Sequence, residues 1–123
     1  MNKCSYVWVM TKPARHRHAV PSGPALDRDR AEEIAGIFHL LGEPNRLRIV
    51  AACLSAPRSV NELAAQTGIS PSLASHHLRL LKAARLVRPQ RQGKFVHYAA
   101  HDDHVRDIIG AMIDHVSEPD GED

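Results

Sequence analysis

Six side chains able to bind a metal ion crowd two short stretches near the C-terminal end: His101, Asp102, Asp103 and His104, then His115 and Glu118. His115 and Glu118 stand at i, i+3 and would share one face of a helix. His104 lies 11 residues before His115, about 16 Å along a helix at ~1.5 Å per residue. No single ion bridges that gap with bonds near ~2 Å. Two copies packed antiparallel about a two-fold axis resolve the geometry. His104 with Asp102 or Asp103 of one copy then meets His115 and Glu118 of the other, giving two symmetric sites of two imidazoles and two carboxylates each. Such a set suits tetrahedral zinc; cobalt(II) fits the same geometry, and nickel(II) usually takes more ligands. The absence of cysteine from these two stretches argues against a soft-metal or arsenic site here. The plainer alternative is that Asp102 and Asp103 complement a helix dipole and the histidines are solvated.

A second chemistry lies upstream. From Leu63 through His101 there is no Asp or Glu, yet Arg79, Lys82, Arg85, Arg88, Arg91 and Lys94 all fall there. The formal net charge of the whole chain is only +2, so the positive charge is concentrated in this window. A polyanion explains that, because each cation meeting a phosphate releases condensed counterions. The local pattern fits double-stranded DNA. Val60 to Thr67 reads as a short helix with Ser59 as N-cap, and Gly68 suits a left-handed turn. Ser70 then caps a second helix with Pro71 at its first position. Ala74, Leu78, Leu81 and Ala84 recur at helical spacing and should face the core. Ser70, Ser72, Ser75, His76, Arg79 and Lys82 can donate hydrogen bonds from another face, as the second helix of a helix-turn-helix does in the major groove. Leu86 to Arg88 and Phe95 to Tyr98 read as two short strands around Gln92-Gly93, with Pro89 at an edge. This hairpin is a wing, with Arg91 and Lys94 placed for phosphate or the minor groove. An ordinary helical hairpin with a solvated polar face is the alternative, and the charge bias weighs against it.

The elements that position these groups follow from periodicity. At 123 residues, 43% hydrophobic and 4% aromatic, the chain is one domain packed by aliphatic side chains. Asp27 to Leu41 is predicted as a helix capped by Asp27, with Ile34, Ile37, Phe38 and Leu41 as its apolar stripe. Gly42-Glu43-Pro44 ends it, and Arg46 to Leu54 forms the next, with Leu47, Ile49, Val50 and Leu54 as core and Cys53 as packing. The last helix is predicted from Asp102 to Val116. Its uninterrupted stripe of Val105, Ile108, Ile109, Met112, Ile113 and Val116 is a candidate dimer seam. The expected fold is mainly α with a small β-hairpin wing, a dimeric winged helix-turn-helix. Residues 1–25 read as a flexible basic arm, 26–118 as the DNA-binding and dimerisation domain, and 119–123 as an acidic tail. Met10 is a second candidate start. Cys4, His16 and His18 in the arm are either solvated or metal ligands. No run of about 18 apolar residues is present, so no membrane span is expected. Two distant cysteines point to a reducing cytoplasm. No nucleophile–base constellation or phosphate-binding glycine loop is visible, so neither an enzyme nor a small-molecule substrate is expected.

With these residues in hand, the chain resembles the ArsR/SmtB family of metal-responsive winged-helix repressors over roughly Ala31 to Glu118. The resemblance is carried by LGEPNRLRIV, SVNELAAQTGISPSLASHHLRLLKAARLV, RQGKFVHY and DDHVRDIIGAMIDHVSE. The last stretch fits the family's zinc-sensor pattern D-x-H-x10-H-x2-[E/H] as Asp102, His104, His115 and Glu118, selecting Asp102 over Asp103. The resemblance implies a homodimer with paired zinc sites between the C-terminal helices, bound to operator DNA without metal and weakened by zinc. It also implies that liganded His115 reaches the main chain near Arg85, at the foot of the recognition helix. A second family site uses a cysteine where this chain has Ser59. A winged-helix repressor answering nickel, cobalt or a redox signal is the alternative.

Overall fold

A side-chain oxygen caps every helix among the described residues, and those caps set where each helix starts. The computed structural model describes residues 25–119, in the order α1 (Arg28–Leu41), α2 (Pro44–Ala52), β1 (Arg58–Ser59), α3 (Val60–Thr67), α4 (Pro71–Ala83), β2 (Val87–Gln92), β3 (Phe95–Ala100) and α5 (Asp103–Ser117). The expectations for the N-terminal arm, including Cys4, His16 and His18, and for residues 120–123 lie outside the described residues. Asp27, Glu43, Ser59, Ser70 and Asp102 each accept a main-chain N–H three residues on, at 2.8–3.1 Å. Each bond satisfies a donor that the first helical turn would otherwise leave without a partner. At α3 the exchange is reciprocal, because Glu62 Oε1 accepts the Ser59 N–H at 2.8 Å.

Pro44 was expected to separate two helices and instead starts α2. Its missing N–H costs nothing at the first helical position, and Glu43 supplies the cap. The helix ends at Ala52 rather than Leu54, with Cys53 as its C-cap.

The helix-turn-helix is α3 and α4. Gly68, at φ +73°, turns the chain between them, its N–H and that of Ile69 both returning to the Ala64 carbonyl. Arg48 of α2 donates to the Gln66 and Thr67 carbonyls at 3.0 and 3.3 Å, fixing the end of α3. After α4 the chain turns through Arg85, at φ +60° the one non-glycine residue with positive φ among those described. The Leu86 N–H bonds to the Leu81 carbonyl and the Arg85 N–H to that of Lys82, both at 2.9 Å. This is a Schellman ending with arginine where glycine is usual.

The sheet is antiparallel with strand order β1-β3-β2. β2 and β3 pair from Val87↔Ala100 to Gln92↔Phe95, so the turn is Gly93-Lys94 rather than Gln92-Gly93. Gly93 takes φ +65° there, as a two-residue hairpin turn with glycine first requires. The strands exceed the expected ones because pairing, rather than an apolar pattern, carries the polar run from Arg88 to Gln92. Pro89 lies in β2, an edge strand, where a missing donor is tolerated. β1 (Arg58–Ser59) was not foreseen, and it pairs with β3 at Tyr98 and His97.

Ile49, Val50, Cys53, Leu63, Leu78, Leu81 and Val87 are fully buried. Ala84, expected in the core, is only partly buried at its margin. Two apolar stripes divide. On α5, Val105 and Ile109 enter the core, while Ile108, Met112, Ile113 and Val116 stay exposed. On α1, Leu41 is buried and Ile34 and Phe38 are open. Leu47, expected in the core, is 41% exposed. It turns instead toward an apolar groove of about 390 Å³ shared with Phe38, Leu41, Met112, Ile113 and Val116.

Candidate metal centre and nucleic-acid interface

Residue geometry at the start of α5 separates two adjacent carboxylates. Asp102 is the N-cap, its backbone extended at φ −158°, ψ −177°. Its Oδ1 accepts the Val105 N–H at 3.1 Å, and its Oδ2 lies 3.6 Å from His104 Nδ1. Partial burial pushes this carboxyl up, but the Val105 N–H together with His104 and His101 holds it below its ordinary value. It is therefore an anion beside an imidazole at neutral pH. Asp103 instead receives Arg106 at 3.1 Å, while Arg106 also donates to the Leu54 carbonyl just past the end of α2. Asp102 thus lies beside His104, while Asp103 is paired with Arg106.

At the other end of α5, His115 is exposed in the last turn. Glu118 does not continue the helix: it is the C-cap, extended at φ −74°, ψ 139°. The shared helical face expected for His115 and Glu118 is thus replaced by a helical residue and a residue just past the helix end. Among the described residues no three His, Cys, Asp or Glu side chains gather to hold an ion within one chain. Asp102 with His104 and His115 with Glu118 are two half-sets at opposite ends of one helix. Each offers one nitrogen ligand and one carboxylate, a donor chemistry that fits a borderline divalent ion once two half-sets meet.

On the face expected to meet DNA, Ser72, Ser75, His76, Arg79 and Lys82 are all exposed along α4, and Ser70 is exposed at its start, where its Oγ accepts the Leu73 N–H. Arg91 and Lys94 are exposed on the wing, and Arg85 at the foot of α4. His77 was missed by sequence reasoning. It is 6% exposed, and its Nδ1 has no hydrogen-bond partner. Burial lowers its pKa, with Glu43 opposing and Arg46 and His76 adding to the shift. Its spacing from Ala74 and Leu81 (i+3, i−4) is the signal that marks it as a core position. Cys53 is buried, and burial pushes its thiol up to about 11 against the pull of Arg58, so it is inert near neutral pH. No helix among the described residues is long and apolar enough to cross a membrane.

Comparison with known proteins adds to this geometry. Residues 43–88 match the family profile "Bacterial regulatory protein, arsR family". The chain is 38% identical over 95 residues to the transcriptional repressor SmtB homolog of Synechocystis sp., covering 77% of this chain and 72% of that protein. It is 31% identical over 85 residues to the cadmium resistance transcriptional regulatory protein CadC homolog of Staphylococcus aureus, covering 68% and 70%. In structure it is similar to the homodimeric winged helix-turn-helix DNA-binding domain Mb0332 of Mycobacterium bovis. The TM-score is 0.65 at 24% identity, over 84% of this chain and 100% of that one.

Proposed function

This chain belongs to the arsR family of bacterial regulatory proteins, and on that premise we propose that it is a metal-sensing transcriptional repressor. In this reading a homodimer holds operator DNA through α4 and the wing, and releases it when zinc occupies two sites between the copies of α5. The observation that carries it is the arrangement on α5: two half-sets of ligands at the helix ends, with exposed apolar residues between them. An antiparallel pair of these helices would cover Met112, Ile113 and Val116 and bring Asp102 and His104 to His115 and Glu118 of the second copy. Zinc would supply a cross-link of fixed tetrahedral geometry there.

A ligand shifts an equilibrium only through differential affinity for its two states. Zinc must therefore favour a dimer geometry in which the two copies of α4 no longer match successive major grooves. A typical coupling of ~1–3 kcal/mol would relax operator binding by ~5–150-fold. Arg85 would take part through its main chain, since it forms the turn at the foot of α4. Cobalt(II) or nickel(II) in the same side chains is the alternative effector. A redox signal is disfavoured at Cys53 by its raised pKa.

The test is anisotropy of a labelled operator duplex at fixed salt, with zinc titrated in and then removed by chelator, repeated with cobalt and nickel. Release at two zinc ions per dimer is expected. His115→Gln should keep the operator affinity of the metal-free protein and lose the zinc response. Unchanged release by that variant would sink the zinc-site reading while leaving DNA binding intact.

A further inference from the structure

Among the described residues, the exposed apolar side chains of Phe38, Leu47, Met112, Ile113 and Val116 line the groove between α1 and α5. Phe95 does not. It is one of only two phenylalanines in the sequence, and it is 64% exposed at the first position of β3. Its cross-strand partner is Gln92 on the far side of the Gly93-Lys94 turn, so the ring stands at the tip of the wing. Val96, the next residue, is also exposed.

The surroundings point to the occupant. Arg88, Arg91 and Lys94 lie on the same hairpin and are exposed, and no carboxylate occurs in the sequence from Leu63 to His101. The arm carrying the ring is a regular ladder: β2 pairs with β3 over six residues out to Phe95, and β1 braces the base of β3 at His97 and Tyr98. A cationic arm ending in an apolar ring has the two parts that minor-groove proteins combine. Cations hold the phosphates on either side, and an apolar wedge parts a base step and bends the duplex. A lipid surface would favour the same charge, but it would meet one ring and no apolar helical face on the wing. The exposed donors of α4 belong to the same acid-free stretch, which favours the duplex.

We propose that Phe95 is a minor-groove wedge, inserted by the wing into a base step flanking the sequence read by α4. The proposal rests on the DNA-binding reading above and adds a source of sequence preference. Unstacking is cheapest at pyrimidine–purine steps and dearest in stiff A-tracts. The wing therefore selects a flexible step at a position where no side chain needs to read a base edge.

The test uses the full chain and a short duplex that the wild-type protein selects from a random-sequence pool. The duplex carries 2-aminopurine at successive flanking steps and a donor–acceptor dye pair at its ends. Wild-type protein should brighten 2-aminopurine at one flanking step of each half-site and shorten the end-to-end distance. Phe95→Ala should lose both signals and bind ~5–150-fold more weakly, the range for removing one base–aromatic stack. Its salt slope should be unchanged, because no phosphate contact is lost. Phe95→Leu, which keeps an apolar wedge, should retain the bend. Lys94→Gln should instead reduce the salt slope by about one while keeping the 2-aminopurine signal. Replacing the flexible step by an A-tract should weaken wild-type binding and leave Phe95→Ala indifferent. Phe95 is exposed, so the variants should melt as the wild type does.

If Phe95→Ala binds and bends the selected duplex as the wild type does, the wedge is overturned and the DNA reading stands. If the wild type selects no duplex at all, both fail. Loss of binding to phosphatidylserine vesicles by Phe95→Ala, with DNA affinity intact, would overturn the wedge in favour of a membrane contact.

Discussion

Arg85→Gly is the perturbation whose outcome the backbone geometry decides most directly. Arg85 holds φ +60°, where an L-residue's Cβ crowds its own carbonyl and costs about 1–2 kcal/mol. The position is enforced from both sides. The N–H groups of Arg85 and Leu86 close back on Lys82 and Leu81 at 2.9 Å, and Leu81 and Leu86 are both buried. Glycine removes the Cβ strain but enlarges the unfolded ensemble, returning about 0.4–1 kcal/mol of the gain. The net expectation is stabilisation by about 0.5–1 kcal/mol, or a rise of roughly 2–8 °C in Tm for a domain of this size. Arg85→Ala keeps the Cβ and should gain nothing. The assay is thermal unfolding followed by circular dichroism at one protein concentration, since a dimer's Tm depends on it. Helix propensity alone would rank alanine above glycine, so the expected order is opposite to the default. Equal or lower stability of Arg85→Gly relative to Arg85→Ala would refute the strained-turn account.

Three further outcomes follow from other elements. Met112→Glu places a carboxylate in the apolar groove between α1 and α5; sedimentation should show monomers and weakened operator binding, and a persistent dimer would place the interface elsewhere. Ser59→Ala removes the side-chain half of the capping box at α3, which should lower the urea midpoint by the equivalent of about 1 kcal/mol without changing m. His77 has its folded-state pKa depressed, chiefly by burial, so the neutral ring is favoured in the folded state. Its stability is then fully present above the unfolded pKa near ~6.5 and is lost as pH falls toward the folded value, at no more than ~1.4 kcal/mol per pH unit. His77→Leu should flatten that window in a stability–pH profile, and an unchanged profile would assign the titration to another group.

Local signals written in single residues were legible before any coordinates. Ser59, Gly68, Ser70 and Pro71 each act within one turn of their own position, and they place α3 and α4 without reference to the rest of the chain. Charge is equally local to read, since an acid-free stretch is acid-free however it folds. The spacing of His104 and His115 is enough, by length alone, to keep those two from sharing one ion within a single chain. Positions that depend on what lies opposite were not legible. Leu47 and Leu63 are the same residue type, yet one opens onto the groove and the other is fully buried, because only the crossing of α1, α2 and α5 decides which face is covered. β1 exists because Arg58 and Ser59 find the free edge of β3, a pairing across some forty residues that no local pattern announces. The left-handed turn at Arg85 follows from burying Leu86 beneath α4. Asp102 and Asp103 are alike in sequence, and the backbone separates them by making one a cap beside His104 and drawing the other to Arg106. Sequence determined what each residue can do by itself, through its capping, turning, charge and ligand chemistry. Tertiary structure decided which of those capacities is used, because burial, pairing and carboxylate orientation are set by neighbours distant in the chain.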